Sequence, residues 1–369
     1  MTLAHARAEP FALPATAIAK ALLAWYDRSR RDLPWRYGPG VAADPYRVWL
    51  SEIMLQQTTV KAVIPYFEAF THRWPTVKAL AAAPRDDVLA AWAGLGYYSR
   101  ARNLHECAKT VANDLRGKFP DDVALLIKLP GIGPYTAAAI ASIAFQRRAM
   151  PVDGNVERVV ARLAAVETPL PEAKPLLKLL AEGLTPKSRN GDFAQGMMDL
   201  GATVCSPRRP SCMICPLRDL CQAHSREIAD QLPHRSPKAE RPLRHGVAFV
   251  AISERGEVLL RRRPDTGLLG GMMEVPSTDW TENWLPAEEA LRYAPVKSRW
   301  FPMPGAVAHT FTHFRLGAMV FRAHVRNNPP LTLWANQQQC KWVHRDALKA
   351  EALPSVMRKI IAHALNDVN

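Results

Sequence analysis

The chain has 369 residues and a mass of 41.0 kDa, which exceeds one ordinary domain and predicts two or three. Hydrophobic residues make up 48% and charged residues 22%, which excludes wholesale disorder and collagen-like repeats. Lys and Arg number 48 against 34 Asp and Glu, and the net charge of +14 predicts a polyanionic partner, nucleic acid before an anionic membrane surface. The sequence has neither a stretch of ~18 apolar residues that could span a membrane nor the apolar core of a secretory signal, so we expect a cytoplasmic protein.

The first 232 residues are rich in Ala and Leu and have the apolar periodicity of helices. Apolar residues recur at i, i+3, i+4 and i+7 in five stretches, residues 15–30, 45–74, 87–95, 101–115 and 136–145. Gly and Pro separate most of these stretches. The pattern predicts an all-α first domain over residues 1–232.

A different pattern follows residue 232. A Pro-rich segment of mixed charge predicts an exposed linker over residues 233–245. Residues 246–252 and 257–261 then predict a β-hairpin, residues 318–325 a further strand, and residues 354–365 a closing helix, so we expect an α+β domain over residues 246–369. Residues 1–232 have 29 basic and 22 acidic side chains and the rest 19 and 12, so each part has a net charge of +7 and both can face an anion.

Four of the six cysteines, Cys205, Cys212, Cys215 and Cys221, lie in one segment with x6, x2 and x5 spacing. Four thiolates so close in sequence can bind a zinc ion or an iron–sulfur cube. Zinc sites usually contain two close Cys-x2-4-Cys pairs, and only one pair here is that close. The uneven spacing therefore favours one [4Fe–4S] cluster over zinc or over four unpaired buried thiols.

A glycine turn precedes the last helical stretch of the first domain. Gly131 and Gly133 lie in the run Leu129-Pro-Gly-Ile-Gly-Pro-Tyr-Thr-Ala137. Backbone N–H groups in a turn that opens onto a helix can bind a phosphate, although the run could also be a simple tight turn between helices. With helical patterns on both sides, it resembles the helix–hairpin–helix of DNA-binding proteins, which contacts the DNA backbone.

Two carboxyl groups are candidates for acid–base chemistry. Glu52 lies among large apolar residues, where burial would raise its pKa and keep it protonated as a general acid requires; the alternative is the solvent-facing side of an amphipathic helix. Asp153 precedes a helical pattern, which it or Asn155 could cap, and a helix N-terminus also stabilises an ionised carboxylate. A protonated and an ionised carboxyl form the pair that cleaves glycosidic bonds.

Together these motifs resemble the MutY family of adenine DNA glycosylases, within the helix–hairpin–helix, iron–sulfur glycosylase superfamily. The matching motifs are Leu33–Trp35, Ser51–Thr58, Gly94–Tyr98, Arg100–Asn103, Leu129–Ala137, Val152–Asn155, Met197–Gly201 and the cysteine loop. The resemblance implies a multi-domain protein: an all-α helix–hairpin–helix glycosylase domain with a [4Fe–4S] cluster loop over residues 205–221, plus a C-terminal α+β Nudix-like domain.

The resemblance also implies roles for individual residues. Glu52 would protonate the adenine at N7, and Asp153, supported by Asn155, would stabilise the oxocarbenium-like sugar beside Tyr135. Gln57 and Tyr97 would probe the duplex once the adenine is flipped out, and Leu55, Gly131 and Gly133 would contact DNA. The four cysteines would hold the cluster.

Departures from related enzymes refine this expectation. The glycosylases that also cut the strand carry a Schiff-base lysine where Tyr135 stands, so we expect an enzyme that leaves an intact abasic site.

The C-terminal domain lacks the Nudix metal box and should bind rather than hydrolyse. Its run Phe311-Thr312-His313 matches the family's Phe-Ser-His loop, which contacts 8-oxoguanine. Residues 267–274 lack the family's tryptophans and can be core packing alone.

We therefore expect a monomer that excises adenine opposite 8-oxoguanine or guanine from double-stranded DNA, with no membrane partner, in base excision repair. Two other functions stay open at this point. A glycosylase-lyase for oxidised pyrimidines, of the endonuclease III type, is disfavoured by Tyr135 and by the extra domain. A non-catalytic iron–sulfur DNA-binding protein would tolerate Glu52→Gln, which the enzyme would not.

Overall fold

A computed structural model describes residues 13–236, 240–326, 328–336 and 339–366. The chain divides into two compact units, one with Met1–Ala82 and Glu106–Pro237, the other with Ala83–His105 and Lys238–Asn369. Residues 83–105, which we assigned to the first domain, thus group with the second unit. Of the predicted linker, residues 237–239 lie outside the described residues.

Helices account for most of the chain before residue 226. The helices of the described residues are α1 (Ala15–Ser29), α2 (Pro45–Leu55), α3 (Val60–Arg73), α4 (Val77–Ala82), α5 (Arg85–Ala91), α6 (Ser99–Asn113), α7 (Val123–Leu126), α8 (Pro134–Phe145), α9 (Gly154–Leu163), α10 (Lys174–Leu184), α11 (Asn190–Thr203), α12 (Gln222–Ser225), α13 (Ala287–Ala290), α14 (Leu333–Asn336) and α15 (Ser355–Leu365). Within the described part of the first unit no β-strand forms, so the all-α prediction is confirmed. None of the helices just given is long and apolar enough to cross a membrane.

The stretch predicted as helical over residues 45–74 is two helices. The chain leaves α2 at Leu55 and turns at Gln57, which has a φ of +57° in the left-handed region. Thr59 then caps α3 by accepting a hydrogen bond from the backbone N–H of Ala62. No glycine or proline marks this break, which is why periodicity did not predict it.

Helix α11 lies at the centre of the first unit. Every residue from Asn190 to Gly201 is buried, and the helix packs against α1, α8 and α9, while α2 packs against α8. A helix buried on all sides lacks a polar face, so its few polar side chains must find partners inside the protein. This packing brings α2, α8, α9 and α11 together around one site.

The second unit is built on a mixed sheet. Its strands are β1 (Leu243–Ser253), β2 (Glu257–Arg262), β3 (Met273–Glu274), β4 (Phe301–Thr310), β5 (Arg315–Val325) and β6 (Gln339–His344), in the order β3-β2-β1-β5-β4 with β6 also paired to β2. The antiparallel β1–β2 pair confirms the predicted hairpin, and β5 runs parallel to β1. Helix α15 packs against β1, β4 and β5, which confirms the α+β prediction.

Strand β4 was not predicted from the sequence. It contains Pro302, Pro304 and Gly305, with a register shift between Pro302 and Ala306. Proline has no N–H to donate to a ladder and is tolerated in edge strands and bulges, and β4 is an edge of the sheet. Its sequence therefore lacks the alternation by which strands are found.

Candidate active site

A cavity of about 520 Å³ opens among α2, α8, α9 and α11 of the first unit. It brings together residues that are far apart in the sequence. The predicted site residues on its wall are Glu52, Leu55, Gln57, Tyr135, Asp153 and Asn155.

Glu52 lies on the inward face of α2. Its neighbours Leu50, Ile53 and Met54 are buried, and Glu52 itself is only 6% exposed, which rules out the solvent-facing alternative. Burial is the main cause that raises the pKa of the Glu52 carboxyl to about 7, and Asp153 raises it further. A hydrogen bond from Tyr135 and the charge of Arg36 oppose that rise. Glu52 can therefore hold a proton near neutral pH and release it there.

Tyr135 lies in the first turn of α8, next to Glu52. Its hydroxyl hydrogen-bonds the Glu52 carboxyl and also lies 4.0 Å from Sδ of Met198. Burial, followed by the charges of Glu52 and Asp153, raises the pKa of Tyr135 well above its usual range, so the phenol keeps its proton. Tyr135 can thus act as a hydrogen-bond donor to the carboxyl.

Asp153 caps the N-terminus of α9 and faces the same cavity. Its Oδ1 accepts hydrogen bonds from the backbone N–H groups of Asn155 at 2.9 Å and Val156 at 2.8 Å. Its Oδ2 accepts a third from Nδ2 of Asn155 at 2.8 Å. Three donors and the positive end of a helix stabilise a negative charge on this carboxylate. The capping role and a role in the cavity therefore coexist.

The glycine turn between α7 and α8 has the backbone that its sequence predicts. Gly131 has a φ of +75°, a conformation that favours glycine, and Ile132 between the glycines is buried. Gly133 caps α8 without a side chain, and a Cβ added there would meet nothing within 4 Å. Packing against the described residues thus does not require glycine at position 133. The open space beside it lies at a helix N-terminus, where anions bind.

Leu55 and Gln57 lie where α2 ends. Leu55 is half-buried on the cavity wall, and Gln57 is exposed with its backbone in the left-handed region. Beside them Gln56, which was not predicted, donates a hydrogen bond to Oγ1 of Thr136 at 3.2 Å. That bond ties the end of α2 to α8.

Four of the predicted DNA-contact residues lie together in the second unit. Tyr97, Phe311, Thr312 and His313 border a cavity of about 360 Å³. The hydroxyl of Tyr97 lies 2.8 Å from Oγ1 of Thr312, which lies in the loop between β4 and β5. Phe311 stacks on Phe314 and packs against Trp280, which anchors the loop.

The four predicted cluster ligands converge in the loop that follows α11. Cys205, Cys212, Cys215 and Cys221 border one small cavity together with Arg162 and Arg218. Among the residues described, no three His, Cys, Asp or Glu side chains are placed to hold a single metal ion. The ligands of one zinc ion would each lie about 2.3 Å from it, whereas each thiolate of a cube binds a different iron. Four thiols around one cavity fit a [4Fe–4S] cluster, whose iron would keep them deprotonated.

Two arginines of α9 that were not predicted connect this loop to the carboxylate site. Arg158 donates to Oδ1 of Asn155 at 2.9 Å and to the carbonyl of Cys205 at 2.8 Å. One turn later Arg162, which is 1% exposed, donates to Sγ of Cys205 at 3.2 Å. The only sequence signal was their i, i+4 spacing after the Asp153 cap. The bonds align the N-terminus of α9 with the cysteine loop.

Three further residues of the site were also missed. Arg31 and Arg36 line the cavity, and both pair with Asp199 of α11, whose side chain is fully buried. Asp199 belongs to the matching motif Met197–Gly201, yet no role was assigned to it. The available signal in the sequence was an acidic residue between Met198 and Leu200. Such a position indicates burial, and a buried carboxylate needs a partner of opposite charge.

Known families match three regions of the chain. Residues 50–186 match the HhH-GPD superfamily of base excision DNA repair proteins, residues 205–221 the iron–sulfur binding domain of endonuclease III, and residues 247–363 the NUDIX domain. The human adenine DNA glycosylase is 36% identical over 406 aligned residues, which cover 94% of this chain and 73% of the human protein. This chain belongs to the adenine DNA glycosylase family.

A further member of the family and the solved structure of another DNA glycosylase are also similar to this chain. The adenine DNA glycosylase of Mycolicibacterium smegmatis is 48% identical over 196 residues, which cover 53% of this chain and 66% of that protein. The structure of a thermostable thymine-DNA glycosylase, with a TM-score of 0.51 and 31% identity, covers 57% of this chain and 97% of that chain. This adenine DNA glycosylase family member is thus a DNA repair enzyme that hydrolyses N-glycosidic bonds, and it carries a [4Fe–4S] cluster, as predicted.

Proposed function

We propose that the protein removes adenine that is paired with 8-oxoguanine or guanine in double-stranded DNA and leaves the abasic strand uncut. The main support is the pair of carboxyls, Glu52 and Asp153, on the wall of one cavity. Their surroundings differ in the way that an acid and an ionised stabiliser require.

Glu52 acts on the leaving base. An adenine flipped into the cavity places N7 against the Glu52 carboxyl, which donates its proton as the bond between the sugar C1′ and the base N9 breaks. The bonding electrons leave with the base, which the added proton makes a better leaving group. A Glu52 pKa of about 7 suits this transfer, since an acid works best when its pKa lies near the working pH.

Asp153 acts on the sugar. Loss of the base leaves positive charge on C1′ and the ring oxygen, and a carboxylate fixed by three hydrogen bonds stabilises that charge without having to reorganise. Asn155 supplies two of those three donors. Water then adds to C1′ and gives a proton to the Glu52 carboxylate, which restores the acid and completes hydrolysis to an abasic site.

The reaction stops at the abasic site because no lysine is among the described residues that line the cavity. A phenol stands at position 135, where a lyase has its lysine, and it cannot form a Schiff base. Lys174 lies nearby, but its Nζ is 3.2 Å from Oε1 of Glu157, in an ion pair. Strand cleavage should therefore require added alkali.

The surrounding elements hold the DNA. The turn with Gly131 and Gly133 offers backbone N–H groups to a phosphate, and Leu55 and Gln57 contact the duplex beside the flipped base. In the second unit Tyr97 probes the duplex, and the loop Phe311–His313 reads the opposite base. There the hydroxyl of Thr312 keeps the hydrogen-bonding function of the family's serine. Cys205, Cys212, Cys215 and Cys221 hold the cluster, which fixes the fold of the basic loop that follows α11.

A single-turnover assay tests this function. Duplexes pair adenine, thymine or an oxidised pyrimidine against guanine or 8-oxoguanine, and strand breaks are scored before and after alkali. We expect breaks only with adenine and only after alkali, with Glu52→Gln as the inactive control. Breaks before alkali, a covalent adduct trapped by borohydride, or excision of pyrimidines instead of adenine would overturn the proposal.

A further inference from the structure

Asp199 is a buried carboxylate that the mechanism above does not use. It lies in α11, its side chain is fully buried, and it does not border the cavity itself. An ionised carboxylate in such a place is stable only with strong partners, because burial removes its hydration. The partners of Asp199 therefore indicate its role in the protein.

Those partners are two arginines from the segment that follows α1. Oδ1 of Asp199 accepts from Nε of Arg31 at 2.7 Å and from Nη2 of Arg36 at 3.0 Å. Oδ2 accepts from the backbone N–H of Arg31 at 3.1 Å and from Nη1 of Arg36 at 3.4 Å. Tyr26 adds a contact to Arg36 at 3.2 Å. Three hydrogen bonds to Asp199 thus fix the two guanidinium groups, and a fourth fixes the backbone of Arg31.

Both arginines form part of the wall of the Glu52 cavity. The titratable and charged groups that face Glu52 there are Tyr135 of α8, Asp153 at the start of α9, and the arginines at positions 31 and 36. The charge of Arg36 lowers the pKa of the Glu52 carboxyl, and a positive charge beside a general acid favours loss of the proton that it must donate. The carboxylate behind both arginines supplies an opposing charge.

We propose that Asp199 is a positioning residue for the general acid: it fixes Arg31 and Arg36 in the cavity wall and offsets their charge, so that Glu52 stays protonated. The inference rests on the proposed function, because it concerns the proton that Glu52 donates. It also explains why α11 keeps an acidic residue among apolar neighbours in the centre of the unit.

The test compares two substitutions in the same helix. Asp199→Asn keeps the shape of the side chain and removes its charge. Asp192→Asn is the matched control. Asp192 is also buried and pairs with Arg189 at 2.8 Å, but unlike the Asp199 pairs this one lies away from the cavity, since neither Asp192 nor Arg189 borders it. Single-turnover excision of adenine opposite 8-oxoguanine is measured from pH 5.5 to pH 9.

We expect the alkaline limb of the Asp199→Asn profile to move to lower pH by about one unit, since a nearby charge shifts a carboxyl pKa by that order. Asp192→Asn should leave the midpoint in place. Arg36→Gln should move the limb to higher pH, and Asp199→Asn with Arg36→Gln should return it toward the wild-type position. A rate lowered by one factor at every pH, with an unmoved limb, would show that Asp199 is only structural.

A second measurement separates this inference from the proposed function. In protein labelled with ¹³C-glutamate, the Glu52 carboxyl signal is identified by its loss in Glu52→Gln and titrated without DNA. A lower midpoint in Asp199→Asn supports the inference even if the wild type excises no adenine, which would overturn the function alone. If Asp199→Asn does not fold, Arg36→Gln decides: a Glu52 midpoint that stays in place or falls overturns the inference.

Discussion

Glu52 and Asp153 show how one cavity holds two carboxyl groups in different surroundings. Glu52 comes from the interior of α2, where apolar neighbours surround it and a phenol is its hydrogen-bond partner. Asp153 comes from the start of α9, where three N–H groups point at it. The residue types are nearly the same, so the backbone position sets the surroundings of each carboxyl: a helix interior removes water from it, and a helix N-terminus presents N–H donors and positive charge to it.

The largest expected effect comes from removing the proton of Glu52. Glu52→Gln keeps the size of the side chain but cannot transfer a proton to the base, and general acid catalysis contributes about 10²- to 10⁴-fold. We expect the single-turnover rate to fall about 1000-fold while the affinity for an adenine:8-oxoguanine duplex changes little. A rate within about tenfold of wild type would mean that the acid lies elsewhere.

The second effect tests the other carboxyl without disturbing its helix. Asn caps helices as well as Asp, so Asp153→Asn should fold with nearly the wild-type melting temperature. The rate should fall about 100-fold, since removing a group that stabilises transition-state charge typically costs that much. Asp122→Asn is the control: Asp122 caps α7 through the N–H of Leu125 at 2.9 Å, outside the cavity. Similar losses in both variants would reduce Asp153 to a cap.

The contrast between the two carboxyls could be predicted from the sequence only in part. Apolar neighbours of Glu52 left burial and a solvent-facing position both open, and the helical pattern after Asp153 predicted a cap at Asp153 or Asn155, because both properties depend on nearby residues. The role of Asp199 could not be predicted in this way. Its arginine partners lie more than 160 positions earlier in the chain, and periodicity carries no information about which buried charges meet.

The same limit applies to the grouping of residues 83–105. Their helical spacing was predicted, and α5 and α6 lie at about the expected positions, but their partners in the second unit lie far along the chain. Arg85 pairs with Asp265 at 2.8 Å, and Asp86 pairs with Arg262 at 2.8 Å. A charged helix surface has many possible partners, so the sequence alone does not indicate which one it meets.

A smaller effect is expected where Asn155 meets α11. A Cβ added at Gly201 would lie 2.6 Å from Cβ of Asn155, so Gly201→Ala must displace the residue that orients Asp153. We expect a loss of about tenfold in rate, since the carboxylate shifts but remains. Gly196→Ala is the control in the same helix, where the nearest atom would be 3.4 Å away. Equal rates in both variants would show that the site tolerates this displacement.

The smallest expected effect concerns the hydrogen bond from Tyr135 to Glu52. The wild-type rate should fall as the pH rises through about 7, because Glu52 then loses the proton that it must donate. The Tyr135 hydroxyl stabilises the ionised carboxylate, so it lowers the pKa of Glu52. Tyr135→Phe should therefore raise that pKa and move the alkaline limb to higher pH by less than about one unit.

For each protein the rate at pH 8 is divided by that protein's maximal rate. This ratio should be a few-fold higher for Tyr135→Phe than for the wild type. The maxima themselves report any loss of packing, since they do not depend on the position of the limb. A limb that moves to lower pH would mean that the hydroxyl stabilises the protonated acid. Burial alone would then be too weak to keep Glu52 protonated, and the Tyr135 hydroxyl would be needed to raise the pKa of Glu52.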